Sequence, residues 1–234
     1  MWSEYVTPEI VDSRIWPRTA AIAERLWSPQ QVRDVNSIYQ RLAIVSQKLQ
    51  YYGLQHISFT DIMLERMSGE SDPQPLKVLA AVVQPPEGYE REELKKYDSS
   101  SPLNRLVDAV APESETARRF SDLTKLIVGG KATQQQWQEA RNCLVLWRDN
   151  DAKLQPLLGR SEITAELISV SQTLSQVAAM GLQALDELEN HRTATADALL
   201  KNLDFLKAAA KPQAVLVDMV VPSVQFLVQA AGKP

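Results

Sequence analysis

The sequence predicts a mainly α protein, in which one strand-and-helix unit precedes an antiparallel helical bundle. Two observations favour helix: the 234 residues include only 8 glycines, and apolar residues recur in steps of three and four through the second half. A third observation predicts a strand at the start of the chain. Tyr5 and Val6 suit an extended strand, and Thr7-Pro8 ends it, because the residue before a proline is disfavoured in the α region.

A helix is predicted to follow this strand. Asp12 and Ser13 offer side-chain oxygens that can cap a helix. Ile15, Ile22 and Leu26 then fall on one face at helical spacing. A strand that passes through a short loop into a helix is one βα unit, and in a (β/α)₈ barrel such units carry functional residues at the carboxyl end of the strand.

Three short motifs near the start occur in the order and spacing of a known family. They are Trp2-Ser3-Glu4, Arg14-Ile15-Trp16-Pro17-Arg18 and Ala23-Glu24-Arg25-Leu26-Trp27-Ser28. Together they resemble the last strand and last helix of the barrel in glycoside hydrolase family 20, the β-N-acetylhexosaminidases. The resemblance covers residues 1–56, and a weaker likeness to the carboxyl-terminal extension of bacterial members continues through residues 101–108.

The resemblance implies a glycosidase whose acid and base residues this chain does not carry. Family members remove terminal N-acetylhexosamine from glycans by a retaining route in which the substrate's own acetamido group attacks the anomeric carbon. An adjacent Asp-Glu pair on an earlier barrel strand supplies the general acid and orients the acetamido group. Asp186-Glu187 is such a pair in sequence, but it lies inside a helical repeat far downstream of the barrel. We therefore predict no catalytic residue here.

Two residues are predicted to bind substrate. The resemblance implies that Trp2 forms the aromatic wall of the acetamido pocket and that Glu4 accepts hydrogen bonds from sugar hydroxyls. A core Trp beside a surface Glu is the alternative that spacing alone favours, whereas the downstream motifs favour the sugar site. Ion pairs that hold the last barrel helix are predicted instead for Arg14, Arg18, Glu24 and Arg25.

Two hypotheses of different classes follow. In the first, the chain is the carboxyl-terminal portion of a β-N-acetylhexosaminidase that acts on N-acetylhexosamine-containing glycans when whole and is inactive in isolation. The resemblance implies that the whole enzyme is periplasmic or extracellular. In the second, the chain is an autonomous helical interaction module that oligomerises through its long seams without catalysis. A homo-oligomer is compatible with both.

Composition argues against several partners and cofactors. With 25 Lys and Arg against 29 Asp and Glu, the net charge of −4 argues against nucleic acid. The single cysteine, Cys143, excludes an intrachain disulfide and a cysteine-rich metal site. Cys143 is predicted to be a small packed residue, and no cofactor is expected.

His56 has no second ligand at metal-binding spacing, so we interpret it as a loop or capping residue. No basic region followed by an apolar run opens the sequence, so no secretory signal is expected within it.

The first half continues as helices and a connecting region. Residues 32–52 predict a helix that ends before Gly53, with five core residues: Val35, Ile38, Leu42, Val45 and Leu49. Breaker clusters follow, and the apolar run at residues 76–83 fits either a helix or a strand, with helix favoured. The charged run at residues 89–96 is predicted to be solvated surface, before a short helix at residues 103–110.

The second half predicts helices over residues 114–128, 133–158, 161–190 and 196–210. Thr133 and Gln136 form a capping box, and Pro156 should kink or close its helix. If unbroken, the helix over residues 161–190 is about 45 Å long. Trp137 and Trp147 share a stripe with apolar neighbours, so we interpret both as core residues rather than sugar-stacking platforms.

The carboxyl-terminal tail, residues 214–231, approaches the length of a membrane span. Asp218 and Pro222 interrupt it, and a charge near the centre of a span costs roughly 3 kcal/mol or more. We therefore predict a packed terminal helix and no membrane contact. The expected division is residues 1–67 as the terminal strand and helices of a barrel, 68–112 as a connecting region, and 113–234 as the bundle.

Overall fold

The computed structural model describes residues 5–233, which are mainly α-helical, as the sequence predicts. The helices are α1 (Val11–Ile15), α2 (Arg18–Trp27), α3 (Val35–Tyr51), α4 (Ser58–Ser68), α5 (Gln74–Ala80), α6 (Glu90–Leu94), α7 (Leu106–Ala109), α8 (Glu115–Val128), α9 (Gln134–Leu158), α10 (Glu162–Ala165), α11 (Ile168–Glu189), α12 (Ala196–Ala209) and α13 (Val221–Ala231). Two short strands, β1 (Val83–Gln84) and β2 (Val217–Asp218), pair antiparallel.

Helices α9 and α11 form the antiparallel centre of the bundle. Arg141, early in α9, donates to Asp186 near the end of α11 at 2.5 Å. Conversely, Ser171 near the start of α11 donates to Asp151, late in α9, at 2.7 Å. Helix α13 packs against α8, α11 and α12. The residues buried where these helices meet include Leu144, Leu174, Leu185, Val224 and Leu227.

The caps predicted in the second half are present, whereas Asp12 and Ser13 cap no helix, because both lie inside α1, which starts after Ile10 without a side-chain cap. Ser114 accepts from the Ala117 amide at 3.0 Å and starts α8. The reciprocal capping box of Thr133 and Gln136 starts α9. Trp147 is 2% exposed and meets Phe120 edge to face, with ring centroids 4.9 Å apart. The prediction that Trp147 is a core residue is therefore confirmed.

Two predicted helices differ from those observed. The helix expected over residues 161–190 is divided into α10 and α11, because the Leu167 amide bonds the Thr164 carbonyl in a tight three-residue turn. Helix α11 has 22 residues, or about 33 Å. The tail does not begin as a helix at residue 214: β2 precedes α13 and pairs with β1, so the run at residues 76–83 is a helix that leads into a strand.

The tail packs as predicted once α13 begins. Its buried residues include Val221, Val224 and Leu227, and Pro222 lies in the first turn, where its missing N–H leaves no hydrogen bond unmade. Across residues 5–233, none of the helices combines the length and the apolar character that crossing a membrane requires.

Helix α3 does not form the core that the sequence predicts, and the apolar face of α2 is exposed as well. Every residue of both helices is at least partly exposed, and Ile22, Leu26 and Val35 are 61%, 80% and 59% exposed. The two helices pack against each other, and Arg118 of α8 lies over the Tyr39 ring of α3, but these contacts leave the apolar residues of α2 and the start of α3 exposed. An amphipathic helix buries its apolar stripe only where a partner lies against it.

The predicted opening strand falls mostly outside the described residues. Its last two residues, Tyr5 and Val6, are not in a strand.

Candidate functional site

Trp2 and Glu4, the predicted substrate-binding residues, lie outside the described part of the chain. The site is therefore built from the segment that follows them, which starts at Tyr5. This segment packs against the connecting region through a cluster of arginine, tyrosine and carboxylate side chains.

Arg91 is the centre of this cluster. It is 5% exposed, and its guanidinium carbon lies 4.0 Å from the ring centroid of Tyr5 and 4.8 Å from that of Tyr97. The two rings also meet each other edge to face, with centroids 4.8 Å apart, so the desolvated guanidinium contacts both rings of one cluster and is held by cation–π attraction. The prediction that residues 89–96 are solvated is therefore wrong for Arg91, although Tyr89 is 70% exposed.

Asp108 neutralises Arg91 in the interior. Its side chain is fully buried, and Arg91 donates to Oδ1 at 2.5 Å. The backbone amide of Arg105 donates to Oδ2 at 2.9 Å. Both carboxylate oxygens thus have hydrogen-bond donors, which is what a buried ion pair needs if its attraction is to offset the loss of hydration.

Arg14 makes a second attachment between the same two segments. It donates to the backbone carbonyls of Asp108 at 3.1 Å and Val110 at 3.3 Å. Burial, reinforced by the charge of Arg91, lowers the pKa of Arg14 to about 10. Arg14 therefore remains protonated at neutral pH while it binds the end of α7.

The ion pairs predicted around the opening helices are only partly present. Arg18 donates to the Arg14 carbonyl at 3.1 Å, and Arg25 donates to the Val32 carbonyl at 2.8 Å. Glu24 pairs with Arg41 of α3. The prediction is thus correct for Glu24, whereas Arg14, Arg18 and Arg25 donate to backbone carbonyls.

An open cleft of about 900 Å³ borders the start of the described chain. Its lining includes Tyr5, Thr7, Lys95, Lys96, Tyr97 and Asp98. Hydrogen bonds from Ser100 and Ser101 lower the pKa of Asp98, so this carboxylate is ionised at neutral pH. Aromatic rings and fixed charges therefore lie beside the segment that directly follows Glu4.

A second cleft, of about 600 Å³, separates α1 and α3 from α5 and the start of α8. His56 lies at its edge, in a loop as predicted, yet it is only 6% exposed. Its Nε2 is 2.7 Å from Ser46 Oγ, and Nδ1 has no hydrogen-bond partner among the described residues. Burial lowers the pKa of His56. Within residues 5–233, no three His, Cys, Asp or Glu side chains converge as a metal site.

Asp186 and Glu187 lie on α11, away from both clefts. Asp186 accepts from Arg141, and Glu187 accepts from Gln183 at 2.9 Å on the same helix. Cys143 is half-buried against the core, and burial raises the pKa of its thiol. These groups serve the packing of the bundle.

Sequence reasoning missed Arg91, Tyr97 and Asp108. Each is polar and lies near a charged or breaker-rich stretch, where exposure is the default expectation. Arg91 and Asp108 are buried against Tyr5 and Arg14, which are distant in sequence, so no local pattern marks their burial.

The sequence and fold have known counterparts. The family model "Glycosyl hydrolase family 20, catalytic domain" matches residues 1–30. The chitobiase of Flavobacterium johnsoniae superposes on 97% of this chain with a TM-score of 0.85 and 27% identity, over 34% of its own chain. The β-hexosaminidase subunit β of Sus scrofa is 48% identical over 44 residues, which is 19% of this chain and 8% of that protein. Subunit α of Bos taurus is 42% identical over 55 residues, 24% of this chain and 10% of that protein.

Proposed function

We propose that this chain, which is a portion of a family 20 glycosyl hydrolase, forms the carboxyl-terminal part of a β-N-acetylhexosaminidase. The whole enzyme removes terminal N-acetylhexosamine from glycans through attack by the substrate's acetamido group. In this proposal Trp2 lines the acetamido pocket and Glu4 binds sugar hydroxyls. The general acid and its neighbouring Asp come from a part of the enzyme outside residues 1–234.

One observation carries the proposal. The likeness to the chitobiase extends over 97% of the chain at a TM-score of 0.85, far beyond the 30 residues that match the catalytic-domain model. The helical bundle and the opening motifs therefore occur together in one architecture. This favours a hydrolase portion, and the alternative of an autonomous interaction module receives no support from the comparisons.

The exposed face of α2 and α3 supports the same proposal. Leu26 is 80% exposed and Trp27 is 90% exposed, and both lie within the matched residues. Burial of apolar surface is favourable by about 25 cal/mol per Å², so such a face is normally covered. In a (β/α)₈ barrel the helix after each strand packs against the sheet. In this proposal, barrel strands outside residues 1–234 pack against the apolar face of α2.

The adjacent acid pair that this chain carries, Asp186-Glu187, lies on α11 and lines neither cleft. Asp186, the acidic residue next to Glu187, pairs with Arg141 on the bundle surface, so it cannot orient a sugar bound near Tyr5. We therefore propose that residues 1–234 in isolation do not hydrolyse the glycosidic bond.

Hydrolysis of a chromogenic N-acetylglucosaminide tests the proposal. We expect no turnover above the blank for residues 1–234, and turnover for a protein in which an in-frame barrel with the Asp-Glu pair precedes them. In that larger protein, Glu4→Gln should lower kcat/KM by at least tenfold, whereas Glu70→Gln, at an exposed turn, should leave it unchanged. Turnover by the purified short chain, or an upstream reading frame without a barrel, would contradict the proposal.

A further inference from the structure

The contacts around Arg91 connect the helical bundle to the start of the described chain in an unbroken series. Glu166, in the turn between α10 and α11, pairs with Arg105. The Arg105 amide donates a hydrogen bond to the Asp108 carboxylate, and Asp108 forms an ion pair with Arg91. Arg91 in turn lies against the ring of Tyr5, with 4.0 Å between its guanidinium carbon and the ring centroid.

We propose that Arg91 is a positioning residue for the sugar site: by packing against the rings of Tyr5 and Tyr97 while paired with Asp108, it sets the position of the segment that carries Trp2 and Glu4. This inference rests on the proposed function for the role of those two residues. Arg91 itself touches no substrate in this proposal and acts through Tyr5, the covalent neighbour of Glu4.

Arg91 suits this role better than its neighbours because it joins three partners at once. Tyr5 comes from the opening segment, Tyr97 from the connecting region and Asp108 from α7. The guanidinium plane can stack on aromatic rings while its edge donates to a carboxylate, a combination that a lysine ammonium does not reproduce. Because the pair is buried, water does not compete for these contacts.

The same segment has a second tie of a different kind. Glu9 and Arg66 form an ion pair at 2.8 Å whose side chains are 53% and 61% exposed. Exposed pairs contribute little to stability because solvent screens them. Arg66 therefore supplies a matched control: a charged arginine bound to the same segment without burial or stacking.

Hydrogen exchange of residues 1–234 tests the attachment. The double variant Arg91→Met with Asp108→Asn removes both buried charges, so neither is left unpaired. We expect amide exchange in residues 5–16 to rise at least tenfold, with α9 and α11 unchanged. Arg91→Lys should give an intermediate rise, and Arg66→Met less than a twofold change. Unchanged exchange of residues 5–16 in the double variant would overturn the inference.

Kinetics of the larger protein that contains residues 1–234 test the consequence for the sugar site. We expect the double variant to lower kcat/KM at least tenfold at temperatures where circular dichroism shows it fully folded, with partial recovery in Arg91→Lys. A purely structural role would lower the melting temperature and leave kcat and KM of the folded enzyme unchanged, and that result would overturn the inference.

The two measurements separate this inference from the proposed function. If the wild-type larger protein does not hydrolyse the substrate, the proposed function fails and the sugar-site role of Arg91 fails with it. If the wild-type protein is active but the variants retain its kcat/KM, the proposed function stands and the inference alone is overturned.

Discussion

At the scale of single residues, Asp218 is the buried acid with the least support. It is 6% exposed at the β1–β2 pair, its Oδ1 accepts from the Val220 amide at 2.9 Å, and its Oδ2 has no hydrogen-bond partner among the described residues. Burial raises the pKa of Asp218 to about 7. A carboxyl group whose pKa is higher in the folded than in the unfolded protein stabilises the fold at pH values below its ordinary pKa. This contribution to the free energy of unfolding is lost as the pH rises through about 7.

We therefore predict that Asp218→Asn reduces the pH dependence of the unfolding free energy. A difference between the ordinary carboxyl pKa of 3.8 and about 7 corresponds to at most about 4 kcal/mol between pH 4 and pH 8. Urea unfolding at pH 5 and pH 8 measures the effect. The variant should lose less stability than the wild type on going to pH 8. Asp204→Asn, at an exposed position of α12, should behave as wild type. An equal loss in Asp218→Asn would contradict the assigned pKa.

Residues whose role is local were predictable, and those whose role depends on distant partners were not. Thr133 and Ser114 cap helices through amides three residues away, so the sequence window contains the whole interaction. Arg91 and Asp108 are buried because Tyr5 and Arg14 lie against them. The candidate site was therefore predicted only in its opening motifs, and its supporting cluster was found only in the structure.

At the scale of elements, the packing of α11 depends on a glycine. A Cβ built on Gly181 would lie 2.7 Å from Leu144 Cδ2 of α9 and 3.2 Å from Val224 Cγ2 of α13. We predict that Gly181→Val destabilises the chain by about 1–3 kcal/mol, because overpacking outweighs the gain in helix propensity. Gly159→Val, where no atom lies within 4 Å of the added Cβ, should change stability by less than about 1 kcal/mol. Equal effects in thermal unfolding would contradict this packing.

The existence of helices was predictable from apolar spacing, but their interruptions were not. The steps of three and four run through residues 163–177 without a break, yet the chain turns between α10 and α11. Thr164 causes part of this, since its hydroxyl donates to the carbonyl of Leu157 at 3.1 Å and ties the turn to the end of α9. Likewise, β1 and β2 have two residues each and pair across the chain, and so short a strand has no period to detect.

At the scale of the whole molecule, the sequence predicted which face of α2 is apolar but not which part of the protein packs against that face. Ile22 and Leu26 share one face of α2, as the spacing indicates, and that face points to solvent in the described chain. Periodicity reports which side of a helix is apolar, whereas burial depends on a partner that spacing does not identify. The prediction of core residues in α3 was wrong for this reason.

This uncovered face gives a final prediction. Contiguous exposed apolar surface promotes association, so residues 1–234 should gain mass with concentration in sedimentation. The double variant Leu26→Gln with Trp27→Gln should remain monomeric and keep its unfolding free energy within about 1 kcal/mol, since substitutions of exposed residues change stability little. Leu200→Gln, at a position of α12 that is 62% exposed, should associate as the wild type does. A large loss of stability in the double variant would instead show that the face is covered within this chain and needs no barrel strands to cover it.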